Sequence, residues 1–420
     1  MSGTLITLEH IRRAAVSCTL FTPTDLQSAI NQLEYIQADP IRAPARAQDL
    51  ILRHRVAGYK AGDLEKSYPT LEVEEDFLQN YGFIPRAFQK WLHPRSFERV
   101  LKIETETPHL ITLVLEHVRE HGPTHPRALE KTLGKLSVKN YWGGSSSATT
   151  RVLDALHYRG HLRVARRDAG IKVYEAAPHL EPHFENPLER TAQARELVHL
   201  LVRLYGPLSE TSLGGLVSLM GYGAPHLKLE LKAAFKQAVS FELDRAKLEG
   251  ISYVWIPGEK WALEPDSEVR LLAPFDPIVW DRRRFAHLFG WEYKFEAYTP
   301  QAKRKFGYYA LPLLWQDRVV GYANLKLESD ARDRLESDAR DRLESDARDR
   351  LESDARDRLE SDARHRLESD ARDRLESDAR DRLAGRELKA EFGYPLGQPK
   401  GKAFASALAR ELERIRVFLG

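Results

Sequence analysis

A single cysteine, Cys18, stands in a chain of 420 residues. That excludes an intramolecular disulfide and any multi-cysteine zinc site. Nothing around Cys18 marks a nucleophile, and it reads as a small buried residue. No apolar run approaches the ~18 residues that span a bilayer. The opening stretch MSGTLITLEHIRRAA carries charges where a signal peptide needs an apolar segment. The expected compartment is the cytoplasm, with no membrane partner. Neither a phosphate loop nor a G-x-G-x-x-G turn is present. Histidines are plentiful, but Gly122-Pro123 separates His121 from His125 and Gly160 lies between His157 and His161. Neither pair has a third ligand at an informative distance, so no metal and no other cofactor is expected.

A strong net charge is also missing, and here the total misleads. The chain holds 64 Lys+Arg against 62 Asp+Glu. Over residues 327–382 the octapeptide LESDARDR runs seven times, once altered at His365, and those units carry 20 acids and 14 arginines, a net of −6. The other 364 residues therefore keep 50 basic and 42 acidic side chains, a net of +8. A moderately basic body is masked by an acidic insert. Such a body suits an anionic partner such as nucleic acid without demanding one.

The order of predicted elements gives a plan. A helix over residues 8–15 is followed by one that begins after Pro23, with Thr24 as cap and Gln27 three residues on. Pro40 disfavours helical geometry at Asp39, so residues 36–39 read as a short strand. Ile111, Leu113, Leu115 and Val118 predict a helix that ends at Gly122-Pro123. Helices over 126–133 and 148–159 follow, and residues 161–175 alternate like two strands joined at Asp168-Ala169-Gly170. Three helices and a ribbon are the winged-helix order. Residues 192–205, 210–219 and 226–237, then strands over 239–257, repeat it. Such units place a helix in a groove and a wing on the backbone of DNA. From Val269 the runs LLAPFDPIVW, WEYKFEAY, GYYALPLLW and DRVVGYANLKL read as β, and a helix over 403–418 closes the chain. The expected fold class is α+β. Winged units occupy 1–107, 108–185 and 186–265, a small β-barrel occupies 266–326 with 383–420, and the insert occupies 327–382.

Eight residues advance a helix about 80° beyond two turns, so the repeat's leucines form no seam and no coiled coil is expected. Glu328 with Arg332 and Asp330 with Arg334 are favourable i,i+4 pairs. Two readings stand for the insert: a passive tandem expansion in a tolerant hairpin loop, and an acidic arm that competes with DNA for the basic body.

Gln37-Ala38-Asp39 is the most suggestive triplet. Period-2 alternation puts an amide and a carboxylate on one strand face, about 6.5 to 7 Å apart at Cα. A carboxylate can polarise a water or stabilise a nearby cation, and a glutamine can orient that water with one donor and one acceptor. A polar strand face at the surface has the same spacing. Asp276 and Asp281 bracket PIVW; they form either a carboxylate pair or two turn residues.

With these residues set out, the chain resembles the winged-helix DNA glycosylases of the YcaQ/AlkZ type, which remove alkylated or crosslinked purines. The matches run from YIQADPI at 35–41, through NYWGGSSSATT at 140–150 and LHYRG at 156–160, to PFDP at 274–277, WDR at 280–282 and KRKFGYYALP at 303–312. In that family the catalytic element is a Gln-x-Gln or Gln-x-Asp triplet, so the resemblance puts catalysis on Gln37 and Asp39. It also implies three winged helices and a barrel, with the repeat standing where the family has a barrel hairpin after Lys326. The implied reaction starts from an N7-alkylated purine, a cationic leaving group. Asp39 stabilises the developing oxocarbenium charge and directs water at C1′, with Gln37 fixing the water. The product is an abasic site.

Basic clusters interleaved with aromatics supply candidate contacts to DNA: Arg163, Arg166 and Arg167 on the second unit's wing, Arg282, Arg283 and Arg284, then Lys303, Arg304 and Lys305 with Tyr308 and Tyr309. Solvated strand faces and barrel core are the competing explanation for these positions. The expected function is a monofunctional DNA glycosylase, a monomer acting on double-stranded DNA with alkylated or crosslinked purines, nucleoid-associated when bound. The alternative is a non-catalytic winged-helix regulator or damage sensor.

Overall fold

Short polar caps set the first two helices of the computed structural model, which describes residues 6–95, 100–134, 137–139, 145–259, 261, 264–328 and 387–420. Thr7 accepts from the His10 amide and opens Leu8–Ser17. Leu26–Leu33 is capped by Asp25, whose carboxylate accepts the Ser28 amide at 2.9 Å. Thr24, expected as that cap, is committed elsewhere: its backbone exchanges hydrogen bonds with Arg55 and Ala57. The helix stops at Glu34, in the left-handed region at φ 60°.

The chain then enters strand β1, Ile36–Gln37, the edge of a three-stranded antiparallel sheet with β2, Val73–Phe77, and β3, Tyr81–Pro85, in the order β1-β3-β2. Ile36 lies opposite Phe83 and Gln37 opposite Gly82. A Cβ at Gly82 would come within 2.4 Å of the Ile36 carbonyl and 2.5 Å of the Tyr35 ring, so only glycine lets β1 approach.

Helices Pro108–His121, Pro126–Leu133 and Ala148–Arg159 lead into the ribbon Leu162–Asp168 and Ile171–Ala176, the order read from the sequence. Gly160 ends the third helix at φ 88°. The first helix buries Leu110, Val114 and Val118, while Leu113 is 49% exposed; its apolar face is turned from the one expected. Arg190–Tyr205, Glu210–Leu219 and Lys228–Gln237 precede the ribbon Asp244–Leu248 and Ile251–Trp255, to which Leu208–Ser209 adds a third strand. Residues 239–242, expected to extend, lie instead in the wide helical turn Ala238–Glu242.

The C-terminal part departs most from expectation. Pro277–Trp280 and Arg282–Phe289 are helices, and residues 291–298 hold no strand. Four strands, Val269–Leu271, Leu311–Trp315, Arg318–Glu328 and Glu387–Gly393, form an antiparallel sheet in that order, open among the described residues rather than closed into a barrel. Glu328 faces Glu387 across the last pair, so the repeat enters and leaves between partnered strands. The rest of the repeat lies outside the described residues. Helix Lys402–Leu419 closes the chain. Among the described residues no helix is long and apolar enough to cross a membrane.

One apolar cluster joins Ile36 and Ile41 to Leu153 and Leu156 of the second unit and to Leu311 and Leu313 of the C-terminal sheet. A second fills the third unit around Leu197, Leu201 and Tyr205. The first helix contributes Ile11 and Ala15 to a third cluster with Phe285 and Trp291. The sheet carrying Gln37 is thus wedged between segments distant in sequence.

Candidate active site

Gln37 and Asp39 are 4% and 5% exposed, so their strand face is buried instead of lying at the open surface. The Ala38 amide donates to the Tyr81 carbonyl at 3.0 Å, which extends the pairing past β1. The Asp39 amide donates to Gln48 Oε1 at 3.3 Å, and its Oδ1 accepts the Ile41 amide at 2.9 Å. Pro40 between them donates no hydrogen bond, so the chain bends around the carboxylate.

The Gln37 side chain has a fixed polarity. Trp280 donates its indole N–H to Gln37 Oε1 at 2.7 Å, and the Asn80 amide reaches the same oxygen at 3.4 Å. An indole nitrogen only donates, so the atom facing it has to be the amide oxygen. Nε2 of Gln37, with no partner among the described residues, is left as the donor. The donor-and-acceptor role expected of Gln37 narrows to donor alone.

Trp280 is held from two sides. Its ring packs against Tyr205 with centroids 5.4 Å apart. Its short helix is capped by Asp276, which accepts the Ile278 amide at 3.1 Å and is itself buried in a bidentate pair with Arg55 at 2.8 and 3.1 Å. Asp281 caps the next helix through the Arg283 and Arg284 amides. Asp276 and Asp281 are therefore helix caps. The Asp-Pro start at 276–277 is a local signal for that helix, and with it Trp280 was open to recognition as a site residue; Asn80 and Gln48 carry no such signal.

The candidate contacts to DNA divide sharply. Arg163 is buried and pairs with Glu74 at 2.8 Å and with Glu175. Arg167 donates to Glu75 at 2.9 and 2.5 Å. Burial works against ionising Glu75, and the Arg167 guanidinium outweighs it, bringing the carboxyl down to about 2. Arg166 is exposed and paired with Asp168 at 3.0 Å. Arg284 is buried and donates to the carbonyls of Tyr205, Pro277 and Ile278. Arg282 lies over the Tyr293 ring at 4.5 Å and donates to Pro274. Arg283, Lys303 and Lys305 are exposed. Arg304 donates to Thr299 and covers the Tyr308 ring at 5.0 Å. Tyr309 is buried, and burial, then the nearby Asp39 carboxylate, push its hydroxyl well above the usual phenol range. Of these positions, the structure brings Tyr309 to the Gln37/Asp39 site.

The model of the DNA glycosylase AlkZ-like family matches residues 30–357, a span that contains Gln37, Asp39, Trp280 and Tyr309. The chain belongs to the AlkZ-like DNA glycosylase family. Among solved structures, the Streptomyces sahachiroi DNA glycosylase AlkZ is similar at a TM-score of 0.50 and 13% identity, over 76% of this chain and 88% of that one. At that identity the likeness is one of fold. Membership in the family makes DNA the substrate and glycosylase action the activity.

Proposed function

We propose that this AlkZ-like protein is a monofunctional glycosylase that hydrolyses the N-glycosidic bond of N7-alkylated purines in duplex DNA, including purines held in interstrand crosslinks, and leaves an abasic site. The observation that carries the reading is a buried Gln37, two residues before the buried Asp39, whose amide oxygen is held by Trp280. An N7-alkylated purine is already cationic, so it departs without an acid catalyst. What the reaction needs is an anion beside the electron-poor sugar and a water aimed at C1′. Asp39 supplies the first and accepts a proton from the second. Gln37 donates to the water oxygen. A winged-helix plan for the units at 108–185 and 186–265 agrees with their helix-then-ribbon order, and the exposed Arg166, Arg283, Lys303 and Lys305 are the side chains proposed to meet phosphates.

The test is base release. Purified protein is expected to free N7-methylguanine from methylated duplex, and Asp39→Asn to lose most of that release, about 100-fold or more, while keeping its affinity for duplex. If the wild-type protein frees no base from methylated or crosslinked DNA, the reading fails and a non-catalytic DNA-binding role replaces it.

A further inference from the structure

Tyr309 is 2% exposed, and its hydroxyl has no hydrogen-bond partner among the described residues. A buried phenol ordinarily finds a partner, because leaving water with nothing in return destabilises the fold. Its ring is fixed edge-on against Phe295 with centroids 5.3 Å apart. It shares an apolar cluster with Ile36 and Ile41, which flank Gln37 and Asp39, and Ala38 packs on the same cluster. Trp291 and Trp315 also carry unpartnered N–H groups. They pack against Tyr322 and Phe404 in the C-terminal part, whereas Tyr309 is the one that feels the Asp39 carboxylate, which with burial keeps its hydroxyl protonated.

Building on the glycosylase reading, we propose that Tyr309 is a further catalytic residue whose buried, unpartnered hydroxyl contacts the water that cleaves the glycosidic bond. The hydrogen-bond inventory supports that partner. Oε1 of Gln37 is occupied by Trp280 and Asn80, so Gln37 gives the water one donor. Asp39 accepts one water hydrogen. Tyr309 Oη accepts the other, which leaves a single lone pair directed at C1′. In the reaction the bond from C1′ to the purine breaks, and its electron pair leaves with the cationic base, which departs neutral. The water oxygen bonds to C1′, and its proton passes to Asp39 and then to solvent. Tyr309 keeps its own proton throughout.

The experiment is Tyr309→Phe in the full chain, assayed by single-turnover release of N7-methylguanine and of N3-methyladenine from methylated duplex. Expected are rates reduced about 10- to 100-fold and equally for both bases, with duplex affinity unchanged. The Tm is expected to hold or rise, since the hydroxyl removed has no partner to lose. Unchanged rates, or a loss accompanied by a lower Tm, overturn the proposal. A deficit on one base alone places the hydroxyl on the leaving group and overturns it as well. Wild-type protein that releases neither base sinks the glycosylase reading itself, and this proposal with it.

Discussion

The Trp280 indole donates to the Gln37 amide oxygen at 2.7 Å across 243 residues of sequence. This contact ties the C-terminal part to β1 and decides which end of the amide faces the site. Trp280→Phe keeps the ring that packs on Tyr205 and removes only the donor. With Asn80 at 3.4 Å as the remaining partner, the amide is free to turn its oxygen inward. Base release is expected to fall about 100-fold, the scale of a small misplacement at a reacting centre, with duplex affinity retained. A Trp280→Phe rate equal to wild type would mean that Gln37 polarity is set elsewhere.

Paired Arg167 and exposed Arg283 are expected to separate stability from DNA contact. Arg167 neutralises the buried Glu75, so Arg167→Met leaves an unpaired carboxylate and is expected to cost about 3 kcal/mol in urea unfolding. The double variant Arg167→Met/Glu75→Gln is expected to recover much of that loss. Exposed Arg283 is expected to behave in the opposite way: Arg283→Ala leaves unfolding unchanged and lowers the salt slope of duplex binding by about one.

These contrasts show where the sequence was legible. Helices Pro126–Leu133, Ala148–Arg159 and Glu210–Leu219 match their predicted bounds because proline starts, serine caps and Gly160 are local signals. The strand at Gln37 was legible for the same reason, since Pro40 acts on its immediate neighbour, but it covers Ile36–Gln37 and stops short of Asp39. Arg163 and Arg167 read as outward wing residues because their partners, Glu74 and Glu75, lie 89 and 92 positions away and only the packed fold brings them together. Residues 277–280 read as β because their aromatic and branched content outweighed the Asp276 cap. Tyr309 was placed among DNA-stacking aromatics, and nothing local in the sequence distinguishes an exposed ring from one buried beside a carboxylate.

Acid sensitivity follows from groups held away from their ordinary ionisation. His157 is buried and donates its Nε2–H to the Glu75 carbonyl at 2.8 Å; burial, then Lys172, lower its imidazole from 6.5 to about 4. Below 6.5 the unfolded chain binds a proton that the folded one refuses, so this contribution is complete above 6.5 and lost as pH falls towards 4. Glu75, depressed from 4.5 to about 2, adds a second loss as pH falls through that lower window. Urea midpoints are expected to be flat at neutral pH, to fall below 6.5 and to fall again below 4.5. His157→Asn is expected to make the fall between 6.5 and 4 shallower without abolishing it, since burial also lowers His179 and His226. An unchanged slope between 6.5 and 4 in that variant assigns the titration to other groups.

Because Glu328 and Glu387 face each other in adjacent antiparallel strands, the chain between them can be replaced by a two-residue Asn-Gly turn. That replacement removes 58 residues, from 329 to 386, and raises the net charge from +2 to +6, since the excised stretch carries a net of −4. Loop closure grows with the logarithm of loop length, and shortening the connection is expected to stabilise the fold by about 3 kcal/mol. The strand with Gln37, where catalysis is proposed, lies in another sheet, so base release is expected to stay at the wild-type rate. Duplex affinity decides between the two readings of the repeat. A passive expansion leaves it within about twofold at an ionic strength of about 0.15 M, where the Debye length is about 8 Å. A gain of tenfold or more that appears on lowering the salt and vanishes on raising it would make the insert a competitor for the basic surface. The passive outcome is the one expected, because six of the seven units carry three acids against two arginines and the unit with His365 carries two against two, so each brings at most one uncompensated negative charge.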